Sequence, residues 1–146
     1  MSKITTVKSN SNQLKVTYDV SKFLLGGNEF VDIDITTTSS EVALLEGMVM
    51  GKIAATGLIV PCDKDATDGS QIPVGIVVED YTVPVSTTEA ITLVNKGKVA
   101  ESKLNFLDTE TLETLIGPAN NQRSYRDYLN DLGLILQGGT ELTNVN

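Results

Sequence analysis

Glu46-Gly-Met-Val-Met-Gly-Lys-Ile53, followed by Thr56-Gly-Leu-Ile-Val-Pro61 and Asp68-Gly-Ser-Gln-Ile-Pro-Val-Gly-Ile76, decides the fold class of this chain. Each piece is a short run rich in Val, Ile, Leu and Met, broken by glycine or proline before it reaches helical length. Glycines at 47, 51, 57, 69 and 75, with Pro61 and Pro73, give the spacing of short strands joined by tight turns. This is an all-β or α+β signature rather than a parallel α/β one. No catalytic group lies among these strands.

Upstream, Leu14, Val16, Tyr18 and Val20 alternate with Lys15, Thr17 and Asp19, and Val31, Ile33 and Ile35 alternate with Asp32, Asp34 and Thr36. Period-two alternation predicts two half-buried strands, with Gly26-Gly27-Asn28 as a turn in the longer connection between them. Asp32 and Asp34 share one strand face. A carboxylate pair can serve as a metal site or an acid/base pair, but without a third ligand nearby a wet strand face is the better reading. The first thirteen residues are mostly Ser, Thr, Asn and Lys and cannot offset their own ordering by burial, so a mobile start is expected. The division that follows is an N-terminal arm over residues 1–40, with one or two extended strands, and a compact domain over 41–146.

Downstream, Asp63-Lys-Asp-Ala-Thr-Asp-Gly69 is oxygen-rich like a calcium loop, but its register is wrong. The third acid falls at position six, glycine at seven, and Val74 stands where an EF-hand needs glutamate. An acidic turn reversing at Asp68-Gly69 is expected instead. Val74, Ile76, Val77 and Val78 form the next strand, ended by Glu79, Asp80 and Tyr81, with residues 83–88 as a loop. Ile91, Leu93 and Val94 form another, turning at Lys96-Gly97 into Val99. One or two helices are expected near the C-terminus. One is capped by Asp108, carries Leu112, Leu115 and Ile116 and stops at Gly117-Pro118; the other is capped by Ser124, carries Tyr125, Tyr128, Leu129 and Leu132 on one face and ends at Gly133. Leu134 to Leu136 then form a short buried strand, and Gly138-Gly139 releases a polar tail.

At 146 residues the chain fits one domain. Trp is absent and aromatics make up 5 %, so a modest core of Val, Ile, Leu and Ala is expected, one that oligomerisation would support. No apolar run approaches the roughly 18 to 20 residues of a membrane span, and the start lacks the hydrophobic centre of a signal peptide. No membrane partner is expected, and synthesis in the cytoplasm is. The net charge of −8 and pI near 4.4 argue against nucleic acid, whose binding is driven by Lys and Arg displacing counterions. That charge is uneven: residues 1–28 hold Lys3, Lys8, Lys15 and Lys22 against Asp19 alone, a net +3, and the remainder carries −11. The asymmetry suggests an appendage with its own partner; a solvated tail of no electrostatic meaning is the alternative.

Enzymatic function is not expected. Hydrolytic triads and most acid/base schemes lean on His, and the sequence has none. The single Cys62 would lack a base, cannot form an internal disulfide or a cysteine zinc cage, and reads as a small neutral residue beside Pro61. No phosphate-binding glycine loop is present. No cofactor and no metal are expected.

From about Gly47 to Val99, and more weakly at Gly133 to Leu136, the order of these motifs resembles the tailed-phage head decoration family. The strongest element is Asp68-Gly69 followed by Pro73-Val74-Gly75-Ile76, and the turn and strand motif includes Gly47, Gly51 and Gly57. The resemblance implies a β-rich α+β fold of the β-tulip kind, a homotrimer, and a place on the outer surface of the virion. It implies the major capsid protein of a tailed phage as partner, with the protein clamping neighbouring capsomers against DNA pressure. The candidate capsid-binding residues are Lys3, Ile4, Thr5, Thr6 and Val7 together with Leu14, Val16 and Tyr18, because a polar, extended arm can add a strand to an exposed sheet edge. A trimeric adhesin or glycan-binding module displayed on a virion is the alternative from another class.

Overall fold

The computed structural model describes residues 22–138 in full and, beyond them, the backbone of three strands at the two ends of the chain. In chain order the strands are β1 (Ile4–Lys8), β2 (Gln13–Tyr18), β3 (Leu24–Thr36), β4 (Val42–Leu44), β5 (Val49–Lys52), β6 (Ile59–Pro61), β7 (Pro73–Val77), β8 (Tyr81–Val83), β9 (Thr88–Ala100), β10 (Leu115–Ile116) and β11 (Arg123–Ser124). The α-helix α1 (Tyr125–Leu132), then β12 (Leu134–Gln137) and β13 (Thr140–Asn144), complete the order. The fold is a β-rich α+β one, as the glycine punctuation predicts.

β9 organises the body. β3 runs antiparallel along one of its edges, from Leu24 opposite Val99 to Thr36 opposite Thr88. Its other edge carries β7, antiparallel at Val94 and Leu93, and beyond that β12, parallel from Gly97 to Ala100. β5 and β6 extend the sheet past β7. Residues 24–36, which the sequence reading groups with the arm, are therefore part of the central sheet.

Alternation of side chains sends the sheet's apolar groups to two cores on opposite faces. Val49, Ile76 and Val94 join Phe23, Cys62, Leu112, Tyr125, Leu129 and Leu134 on the helix side. Met50, Val77, Ile91 and Leu93 join Ile35, Leu44 and Val83 on the other, under the β4–β8 pair. Tyr81 to Val83 is thus a strand, where the sequence pattern gives a strand end and the start of a loop.

Two glycine sites read as turns are irregularities inside long strands. Gly26 and Gly27 lie within β3, where its register against β9 shifts, and Gly97 lies within β9. Gly97 has φ +97°, and a Cβ there would stand 2.5 Å from the Gly27 carbonyl oxygen. The Asn28 side-chain amide donates to the Lys96 and Lys98 carbonyls, at 3.2 and 3.0 Å, closing the seam around Gly97. The kink changes the phase of β9: Val94 and Val99, an odd number of residues apart, end in the same core.

The helix from 109 to 116 does not form. Asp108 adopts φ +48°, and the chain makes two turns, with the Glu110 N–H donating to Leu107 O and the Thr114 N–H to Thr111 O. The Thr114 hydroxyl accepts from the Thr111 N–H at 2.8 Å, the local side-chain competition that disfavours Thr in helix interiors. Leu115–Ile116 then pairs with Arg123–Ser124. Leu112 and Ile116 do reach the core, Leu112 from a turn and Ile116 from β10.

The second helix forms as its signals dictate. Ser124 and Asp127 make a reciprocal capping box, and Gly133, at φ +105°, ends the helix in the left-handed region. The Tyr125 and Arg126 N–H groups donate to the carbonyls of Thr114 and Leu112, so the looped segment also satisfies the first turn of the helix.

Candidate functional site: the decoration body and its terminal strands

The glycine motif builds the body by letting backbones approach one another. A Cβ on Gly47, itself at φ +86°, would overlap the Lys103 carbonyl, and one on Gly51 would overlap that of Ser70. The Gly47 N–H donates to Val77 O and its carbonyl accepts from the Asn105 N–H, tying the segment before β5 to both β7 and residues 104–106. Asp68 accepts from the Ser70 hydroxyl at 2.6 Å and from its N–H at 3.0 Å, and these bonds hold the Asp68 carboxyl below its ordinary range. Gly69 follows at φ +103° beneath Lys52 and Ala54, Pro73 lies opposite Gly51, and Gly75 lies opposite Met50 with Leu93 close beneath it. Gly57 closes the turn between β5 and β6 at φ +75°. These residues share one half of the sheet, where they shape the backbone.

The helix-side core contains polar groups that the aliphatic expectation misses. Phe106 stacks on Tyr125 with ring centroids 5.3 Å apart. The Tyr125 hydroxyl donates to Glu110 Oε1 at 2.6 Å, and the same oxygen accepts from the Lys64 N–H at 2.9 Å. Burial pushes the Tyr125 hydroxyl above its ordinary pKa, with the Glu110 bond adding to the rise. Burial, with Glu110 second, also raises the Cys62 thiol, which packs in the core. Arg126 spans Glu101 at 3.0 Å and Glu113 at 2.7 Å, bracing α1 against the loops on either side.

A small apolar cleft of about 110 Å³ lies between Ile35, Val42, Leu44, Met50 and Ile59. Another of about 470 Å³ lies between Lys64–Thr67, Gln71 and Ile116–Pro118. No group of three or more potential metal ligands is found among the described residues, and no helix there is long and apolar enough to cross a membrane. Asp32, one of the carboxylate pair singled out from sequence, accepts from the Thr92 hydroxyl at 2.6 Å on an exposed face.

Of the candidate arm residues, Lys3 lies outside the described residues. Ile4 to Val7 fall in β1 and Leu14, Val16 and Tyr18 in β2, and these strands pair antiparallel, with Ile4 opposite Tyr18 and Lys8 opposite Leu14. Within the first thirteen residues, Ile4–Lys8 has the extended backbone of a strand, in keeping with an arm that carries one or two extended strands. The polar tail after Gly138-Gly139 is likewise a strand: β13 pairs with β2, Thr140 opposite Thr17 through Asn144 opposite Gln13. The sheet order is β1-β2-β13. Neither end of the chain announces this, since the partners are more than a hundred residues apart.

The family model of bacteriophage lambda head decoration protein D matches residues 19–122. The chain belongs to that family. No curated protein matches it. The match takes in β3 to β10 and so reaches further on both sides than Gly47 to Val99, while Gly133 to Leu136 falls beyond it. The family is one of structural proteins of the phage head, which places this decoration protein on the virion capsid. Two parts lie outside the match: β11 with the closing elements α1 and β12, and the three strands of the terminal sheet.

Proposed function

We propose that this decoration protein binds the outer surface of an expanded phage capsid as a homotrimer and clamps neighbouring capsomers against the pressure of packaged DNA. The family match over residues 19–122 carries the reading. Synthesis in the host cytoplasm and addition to the head from outside go with it, and the partner is the major capsid protein.

The arm, carrying Lys3 to Val7 and Leu14 to Tyr18, is the capsid contact in this reading. Its bias toward lysine and its extended backbone suit strand addition to a sheet edge, where main-chain hydrogen bonds supply affinity. Three arms on one trimer engage three capsid chains, and each additional linked contact raises avidity by ~10² to 10⁴. No bond is made or broken; the work is done by shape and multiplicity.

The test is co-sedimentation with expanded heads, alongside light scattering of the free protein. The full chain is expected to scatter as a trimer and to pellet with heads. Deleting residues 1–13 is expected to abolish pelleting and leave the trimer intact. Undiminished binding by the truncated protein would refute the assignment of the arm, and a monomer indifferent to heads would refute the whole reading.

A further inference from the structure

We infer that the C-terminal strand β13 is the arm's resident partner: it holds β2 extended and in register before the protein meets a capsid. The argument begins in the body. Val99 of β9 has Leu24 of β3 on one side and Leu136 of β12 on the other. The chain thus enters and leaves the central sheet two strand spacings apart, about 10 Å.

The directions agree as well. β3 is antiparallel to β9, so tracing the chain back from Leu24 toward the arm follows the direction of β9. β12 is parallel to β9, so tracing forward from Gln137 toward the tail follows the same direction. Arm and tail depart from the same end of the sheet, the end at Ala100, where the Ala100 N–H donates to Phe23 O. One chain runs toward the body and the other away from it, the sense that antiparallel pairing needs. Gly138 and Gly139 alone separate β12 from β13, and β13 pairs with β2 over its full length.

The energetics give the third strand a role. A lone two-stranded hairpin is marginal in water, and a third strand gives β2 main-chain partners on both of its edges. β1 and β2 alone would be such a hairpin, polar and poorly able to order itself. Pairing with β13 fills the second edge of β2, and among the described strands the outer edge of β1 has no partner strand, so another chain can add there. Ordering entropy is then met before docking, which raises affinity without a new contact. The docking part of this inference rests on the capsid reading above; the pairing part does not.

Backbone hydrogen exchange on the free protein tests the pairing. In the full chain the amides of residues 13–18 are expected to exchange slowly; in a chain ending at Gly138 they should exchange at least about tenfold faster, with β9 unchanged. Leu142→Pro and Thr143→Pro, made separately, guard against an effect of length alone, because adjacent N–H groups of a strand point to opposite sides and one of the two must face β2. One of them should reproduce the truncation. Equal exchange in the full chain, the truncation and both proline variants would overturn the inference. Head co-sedimentation then reads the docking part: the truncated chain should bind about tenfold more weakly than the full chain. Equal binding would show that the tail does not prepare the arm. Failure of the full chain to bind heads would sink the capsid reading while the exchange result stood.

Discussion

The two cores on either face of the central sheet differ in kind. The core under β4 and β8 is aliphatic, made of Ile35, Leu44, Met50, Val77, Val83, Ile91 and Leu93, all on strands. The helix-side core adds Tyr125, Phe106 and Cys62 and draws Leu112 from a turn and Ile116 from the two-residue strand β10, in a segment held by main-chain hydrogen bonds. The first is specified by alternation along strands. The second depends on polar groups that reach between segments distant in sequence, and part of it lies outside the stretch that marks the family.

The largest effects should come from truncating one residue on each face. Leu129→Ala and Leu93→Ala should each destabilise by about 2–5 kcal/mol, since both side chains are fully buried. Thermal denaturation should show one lowered transition in each case. Two separated transitions in either variant would break the picture of one sheet serving both cores.

Gly97→Ala should cost about 1–3 kcal/mol, because the added methyl meets the Gly27 backbone and the position has positive φ. Chemical denaturation measures the loss, and an unchanged midpoint would mean that the seam has no fixed geometry. Tyr125→Phe, which removes one hydrogen bond to Glu110 and keeps the ring stack, should cost about 1–2 kcal/mol by the same measurement. A neutral result would make the helix-side core as purely apolar as its counterpart.

Much of the contrast between the cores is visible in the residues themselves, and the remainder is hidden for a definite reason. Ser124, Asp127 and Gly133 announce α1 because its caps are local, and Val31 to Ile35 announce a strand through period-two alternation. Leu112 and Ile116 have helical spacing, but their backbone partners, the Tyr125 and Arg126 N–H groups, lie beyond any local window. Gly26-Gly27 and Lys96-Gly97 look like hairpin turns because a glycine bulge and a tight hairpin turn can both place glycine at positive φ; the Asn28 amide reaching Lys96 and Lys98, some seventy residues away, tells them apart. The terminal sheet is hidden for the same reason, as β2 meets its third strand from the opposite end of the chain.

The smallest effect concerns Asp68. Its folded pKa is lowered by the Ser70 hydroxyl and N–H, so its contribution to stability is present above the unfolded value of about 4 and is lost as pH falls through the folded one. An NMR titration should place the Asp68 carboxyl below the ordinary range, and Ser70→Ala should return it part of the way. An unchanged titration in the variant would show that the turn is held by something other than these bonds.

The phase change at Gly97 carries one more consequence. A thirteen-residue strand that sends Ile91 and Leu93 into one interior and Val94 and Val99 into the other is a shared beam, so neither core can loosen without disturbing the other. Strain introduced at one face of such a body reaches the other through the same strand, so a substitution in either core is felt in both.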